Sequence, residues 1–123
     1  MEFVLLTPED VEYLHEQVLY ESELQGLAGD KSLAGCLARV ENRLAYGLIG
    51  DVYELAATYA VALAVGHVFN DGNKRTAFTA MNICLVLNGV EPTFDVMAAA
   101  DVLITVAQNR VDEVVLAEWL RMH

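Results

Sequence analysis

Positive charge is scarce in this chain. Seven Lys and Arg stand against 18 Asp and Glu, a formal net charge of −11 over 123 residues. The first thirty residues hold eight acidic groups and no Lys or Arg. That balance argues against direct contact with nucleic acid, which demands basic surface, and the acidic N-terminal stretch reads as a solvated helix face. Cysteine is limited to Cys36 and Cys84, far apart and without Cys-x-x-Cys spacing. No zinc site follows from that pattern; both fall in apolar helical stretches and read as buried free thiols in a reducing cytoplasm. Long apolar runs are also missing. The longest nearly unbroken one, Leu55 to Val65, is interrupted by Thr58 and Tyr59 and is too short to span a bilayer. No basic segment followed by an apolar stretch marks a signal peptide, so a cytoplasmic protein without membrane contact is expected. Strict period-two alternation is lacking, and no strand is predicted.

What the chain does have is apolar content, 55% hydrophobic residues with a mean hydropathy of +0.36. That is rich for a small protein, and without a membrane segment it raises the expectation that a partner covers some apolar surface. The length suits one domain, residues 1–123, with a single core. Helical signals run throughout. Thr7-Pro8-Glu9-Asp10 supplies a cap, a proline at the first helical position and acids in the first turn. Val11, Leu14, Val18 and Leu19 predict the buried stripe of the first helix. Asp30 or Ser32 caps a second helix with Leu33, Leu37, Val40 and Leu44 at helical spacing. A third, apolar almost all round, runs from about Asp51 to Val65 and ends at Gly66, as expected of a central helix. A fourth runs from about Asn73 to Leu87 and closes at Asn88-Gly89. Asp95 caps a fifth, to about Ala107, and Asp112 a sixth with Val115, Leu116, Trp119 and Leu120 inward. Tyr and Met residues elsewhere read as core, and His15 and His123 have no partner motif. The fold class is all-α, a compact bundle of about six helices.

One stretch carries chemistry: His67-Val68-Phe69-Asn70-Asp71-Gly72-Asn73-Lys74-Arg75. It leads into the fourth helix, whose N-terminal N–H groups and dipole favour anions. Gly72 permits a tight turn and close approach of backbone to a phosphate. Lys74 and Arg75 bring a point charge and a planar fork, two ways to hold phosphate oxygens. Asp71 is an oxygen ligand suited to Mg²⁺ shared with phosphates, and His67 is the side-chain type suited to a general base. Phe69 is core, an aromatic anchor for the loop.

The stretch resembles the signature of the Fic/Doc family, His-x-Phe-x-Asp/Asn-Gly/Ala-Asn-Gly/Lys-Arg, with all seven defined positions matching. The flanks Asp51-Val52-Tyr53-Glu54-Leu55-Ala56-Ala57-Thr58-Tyr59 and Arg75-Thr76-Ala77-Phe78 are similar to the Doc branch. Val68 stands where many Fic proteins carry proline. AMP-transferring members have glycine in place of Lys74 and a second arginine in place of Phe78; in the Doc branch lysine replaces that glycine and the γ-phosphate is transferred. The resemblance implies a Fic/Doc fold over residues 1–123 and a toxin that phosphorylates a Thr or Ser hydroxyl, on elongation factor Tu, using ATP and Mg²⁺. It assigns His67 as the base, Asp71 to Mg²⁺, and Gly72, Asn73, Lys74 and Arg75 to the phosphates. It equates Tyr46-Gly47-Leu48-Ile49-Gly50 with the family's target-docking flap, which the residues alone would make an ordinary turn. No internal inhibitory motif is present: Glu41-Asn42 lacks Ser or Thr at Leu37. Restraint is instead expected from an antitoxin whose C-terminal segment folds on the toxin. Thr79 stands where Doc relatives carry asparagine. The alternatives are AMP transfer on the same fold, or a catalytically inactive antitoxin-binding module.

Overall fold

The computed structural model describes residues 2–29 and 31–123. Among these residues six helices follow one another: α1 Pro8–Val18, α2 Leu33–Ala45, α3 Val52–Gly66, α4 Asn73–Leu87, α5 Val96–Ala107 and α6 Glu113–Met122. Among the described residues there is no strand, only an isolated antiparallel bridge between Leu27 and Phe69. The expected all-α bundle forms, with its boundaries close to those read from the caps.

Those caps explain where the helices begin. Thr7 and Asp10 make a reciprocal capping box ahead of Pro8. Ser32, Asp51, Asp95 and Asp112 each accept the backbone N–H three residues on, pairing a donor that the first turn leaves free. Of the two candidate caps for α2, Ser32 does this; Asp30 lies outside the described residues.

Every residue of α3 from Leu55 to Ala64 is buried, because α2, α4, α5 and α6 all pack around it. Its five alanines at positions 56, 57, 60, 62 and 64 keep the cylinder narrow enough for that. The polar groups it carries inward are satisfied. Thr58 Oγ1 donates to the Glu54 carbonyl at 2.6 Å. The Tyr59 hydroxyl accepts from Leu6 N at 2.8 Å and donates to Leu6 O at 3.1 Å. Burial pushes this phenol up to about 12, so it is a neutral tie between the N-terminal segment and the core.

Several sequence expectations need correction. On α1 the fully buried positions are Val11 and His15, with Leu14, Val18 and Leu19 only half-buried. On α6, Val115 is exposed and Ala117 takes its place beside Leu116 and Leu120. Val115 is turned outward because α6 shows α3 the face defined by Glu113, Leu116, Ala117 and Leu120, at helical spacing. Glu113 is held there by Arg39 through two bonds, Nε–Oε2 at 2.6 Å and a terminal nitrogen–Oε1 at 3.0 Å. Tyr13, Tyr20, Met97 and Met122 are exposed rather than core. Both cysteines are free; Cys84 is buried, while Cys36 is half-buried with Sγ donating to Ala62 O at 3.1 Å.

Candidate active site

The chain leaves α3 through an unusual corner. A left-handed residue after a helix is usually glycine, and Gly66 was the natural candidate. Gly66 instead belongs to the last turn of α3, and His67 takes the left-handed conformation with φ 48° and ψ 43°. Gly66 is needed for a different reason: a Cβ there would meet Cys36 Sγ at 2.9 Å, so its absence lets α2 close on the end of α3. A non-glycine residue in this region costs on the order of 1 kcal/mol or more. It persists because Val68 and Phe69, next in line, are buried at 3% and 2% exposure and fix the corner. His67 itself is exposed and makes no side-chain hydrogen bond to any described residue.

The connection between α1 and α2 wraps around the segment that follows. Ala28 N donates to Val68 O at 2.8 Å and Asn70 N to Gly26 O at 3.1 Å. The Asn70 amide donates to the carbonyls of Gln25 and Leu27 at 3.1 and 3.3 Å. Leu24 N donates to Asp71 Oδ2 at 2.9 Å. Residues 24–28 therefore lie alongside 68–71 as a two-stranded margin too short to count as a sheet.

Gly72 precedes α4 with φ 81° and offers no side-chain cap to the first turn. The N-terminal donors of α4 are thereby left for something else. Asn73 is turned back on the loop, its Oδ1 accepting Phe69 N at 3.1 Å and its amide donating to Phe69 O at 2.9 Å. Lys74 is exposed. Arg75 is engaged from both ends: one terminal nitrogen donates to Val18 O at 2.6 Å, the other to the Glu23 carboxylate, and the guanidinium lies 4.0 Å from the Tyr20 ring centroid. The Arg75 hydrogen bond, followed by that from Tyr20 N, holds the Glu23 carboxyl below its ordinary value of 4.5. Beside these residues runs an apolar groove of about 360 Å³, lined by Val18, Lys74, Arg75, Phe78 and Thr79 on one side and α5 residues, including Leu103 and Ile104, on the other. Phe78 meets Phe94 edge-on at 6.3 Å. No cluster of three or more metal-ligating side chains occurs among the described residues, but Mg²⁺ shared with phosphates needs only one or two carboxylates. Asp71 fits that role, since the bond from Leu24 occupies Oδ2 alone.

Comparison with known proteins matches residues 5–85 to the sequence model of the Fic/DOC family. The chain is also 36% identical over 117 residues to "Protein kinase doc" of Escherichia phage P1, covering 94% of this chain and 92% of that protein. The chain belongs to the Fic/DOC family. Its Fic/DOC stretch is brought together as a corner, a short margin and a helix start, with His67, Asp71, Gly72, Asn73, Lys74 and Arg75 all on the path from α3 to α4. Phe69 is the buried anchor.

The expected flap joins the opposite end of α3 from the motif. Tyr46, Gly47, Leu48 and Ile49 precede the N-terminus of α3, whereas His67 follows its C-terminus. The intervening helix of 15 residues puts about 22 Å between them. Tyr46 and Leu48 are exposed and Ile49 is buried, in a turn closed by bonds from Tyr46, Gly47 and Leu48 N back to α2 carbonyls. The backbone next to the Fic/DOC stretch is residues 24–28 instead. Sequence reasoning also missed Glu23 and His15, both in contact with the stretch. A signal existed for His15, a polar residue four places after Val11 on the apolar stripe of α1. Glu23 had none.

Proposed function

We propose that this chain is a Doc-like toxin, a protein kinase that moves the γ-phosphate of ATP to a Thr or Ser hydroxyl of a translation factor. Resemblance points to elongation factor Tu as the acceptor, and to action in the cytoplasm. The observation that carries the reading is the corner at Gly66–Gly72. It leaves an imidazole exposed at one end of a short loop and an uncapped helix start, followed by two cations, at the other. The name of the phage P1 relative, a protein kinase, supports γ- over α-phosphate transfer. So do Lys74 and Phe78 at the two positions where AMP-transferring members carry glycine and arginine.

In this reading the α4 amides, Lys74 and Arg75 hold the triphosphate. His67 takes the proton as the acceptor oxygen attacks the γ-phosphorus; the bond to the β-bridging oxygen breaks and ADP leaves. Mg²⁺, held by Asp71 and the phosphates, would supply charge neutralisation on the oxygens. The protein's share is alignment and electrostatics. Arg75 reaches a phosphate only by sharing or giving up Glu23, so that carboxylate competes with the nucleotide. The apolar groove between α4 and α5, with Val96 and Ile104 exposed along it, suits the C-terminal segment of an antitoxin, which would also cover Lys74.

The test is incubation of the purified chain with ATP labelled at the α or the γ position, in a bacterial lysate. Label retained only from the γ position, on a protein of the mass of elongation factor Tu, is the expected result. Label from the α position would make it an AMP transferase. Labelling of nothing, with normal growth of cells expressing the chain alone, would leave an inactive antitoxin-binding module.

A further inference from the structure

His15 stands on the last turn of α1, outside the Fic/DOC stretch, and is only 2% exposed. Its ring lies flat on Phe69, centroids 3.7 Å apart and planes 7° from parallel. Its Nε2 is 2.7 Å from the carbonyl oxygen of Asp71. A carbonyl only accepts, so Nε2 carries the proton and donates. The same ring passes close to Gly72, where an added Cβ would lie 3.6 Å from it. One side chain from another helix thus touches Phe69 and Asp71 and lines the space beside Gly72 on the turn into α4.

Gly72 is the soft point of that turn. At φ 81° it has no side chain to limit its rotation, and the planar 71–72 peptide moves as a unit. Rotation at Gly72 would shift the first amides of α4 relative to the Asp71 carboxylate. The His15 bond to the oxygen of that peptide, with the ring wedged against Phe69, fixes the plane. We propose that His15 is a positioning residue: its N–H, seated by the stack on Phe69, holds residues 69–72 in the form that aims the Asp71 carboxylate and the α4 amides at one phosphate group. This rests on the phosphoryl-transfer reading above.

Two substitutions separate the donor from the ring. His15→Phe keeps the stack and loses the donor, whereas His15→Gln keeps an N–H of similar reach and loses the stack. The expected outcome is a fall in kcat of about tenfold or more for His15→Phe, with most activity recovered in His15→Gln. A role in packing alone gives the reverse ranking, and that ranking or equal rates in both folded variants would overturn the proposal. A second readout needs no catalysis: amide exchange at Phe69, bonded to Asn73 Oδ1 at 3.1 Å, and at Thr76, bonded to Gly72 O at 2.9 Å. Exchange should quicken at both in His15→Phe and stay near wild type in His15→Gln; no change in His15→Phe counts against the proposal. In the wild type, ¹⁵N spectra of the imidazole should show the proton on Nε2, and a proton on Nδ1 alone would sink it even if neither variant folds. Absence of any transfer by the wild type would defeat the kinase reading, while the exchange and ¹⁵N results would still decide the role of His15.

Discussion

At the N-terminal end of α3 every charge is consumed. Asp51 caps Glu54 N at 2.8 Å with one oxygen and takes Arg121 Nε at 2.9 Å with the other. Arg121 reaches on to Glu54 at 3.3 Å and Glu118 at 2.9 Å, and Glu54 accepts Gly50 N at 3.2 Å. At the C-terminal end of the same helix, 15 residues away, His67 is exposed in a left-handed conformation, Lys74 is exposed, and α4 begins without a side-chain cap. The first end spends its charged side chains on one another. The second keeps unfilled donors and a strained corner, the condition in which backbone cost is tied to function.

The sharpest way to break this contrast is at His67. His67→Ala should lower transfer by roughly 10² to 10⁴-fold, the usual worth of a general base, while the melting temperature holds because alanine removes no bond to a described residue. Near-normal turnover in that variant would remove the general-base role. The opposite end should show the opposite response. Asp51→Ala should cost about 1 kcal/mol of stability through the lost cap, with little added from the half-exposed Arg121 pair, and leave the transfer rate within about twofold of wild type. Burial alone would raise the Asp51 carboxyl, but the Arg121 hydrogen bond and the Glu54 N–H together hold it below its ordinary 3.8. The stabilisation is therefore present above 3.8 and disappears as pH falls through the lowered value. Thermal melts of wild type and variant should converge on that acid side only. The smallest effect is expected at Glu23. Glu23→Gln should tighten Mg·ATP binding by up to about fivefold, the scale of a partly exposed ion pair, as read by calorimetry at pH 7, where the depressed carboxyl is fully charged. Weaker binding in that variant would mean that Glu23 holds Arg75 in place for the nucleotide and does not compete with it.

Local chemistry made most of the fold legible. Thr7, Asp51, Asp95 and Asp112 mark helix starts because a short side-chain oxygen satisfies an N–H three residues on. The uniform apolarity of Leu55–Ala64 announces a helix surrounded on all sides. Legibility failed where a residue's surroundings come from distant chain. Val115 and Ala117 are equally apolar by composition, and only the approach of α6 to α3 decides which is covered.

The residue types at positions 67–75, the six helices and the family were determined by the sequence alone, because capping, periodicity and a contiguous motif are properties of neighbours along the chain. Only the tertiary structure decided that the α1–α2 connection lies on the motif, that Arg75 meets Glu23 and that His15 grips the turn. Those contacts join residues separated by 52 and 56 positions, and pairings at that range depend on how whole helices stack around α3 rather than on any pattern local to either partner.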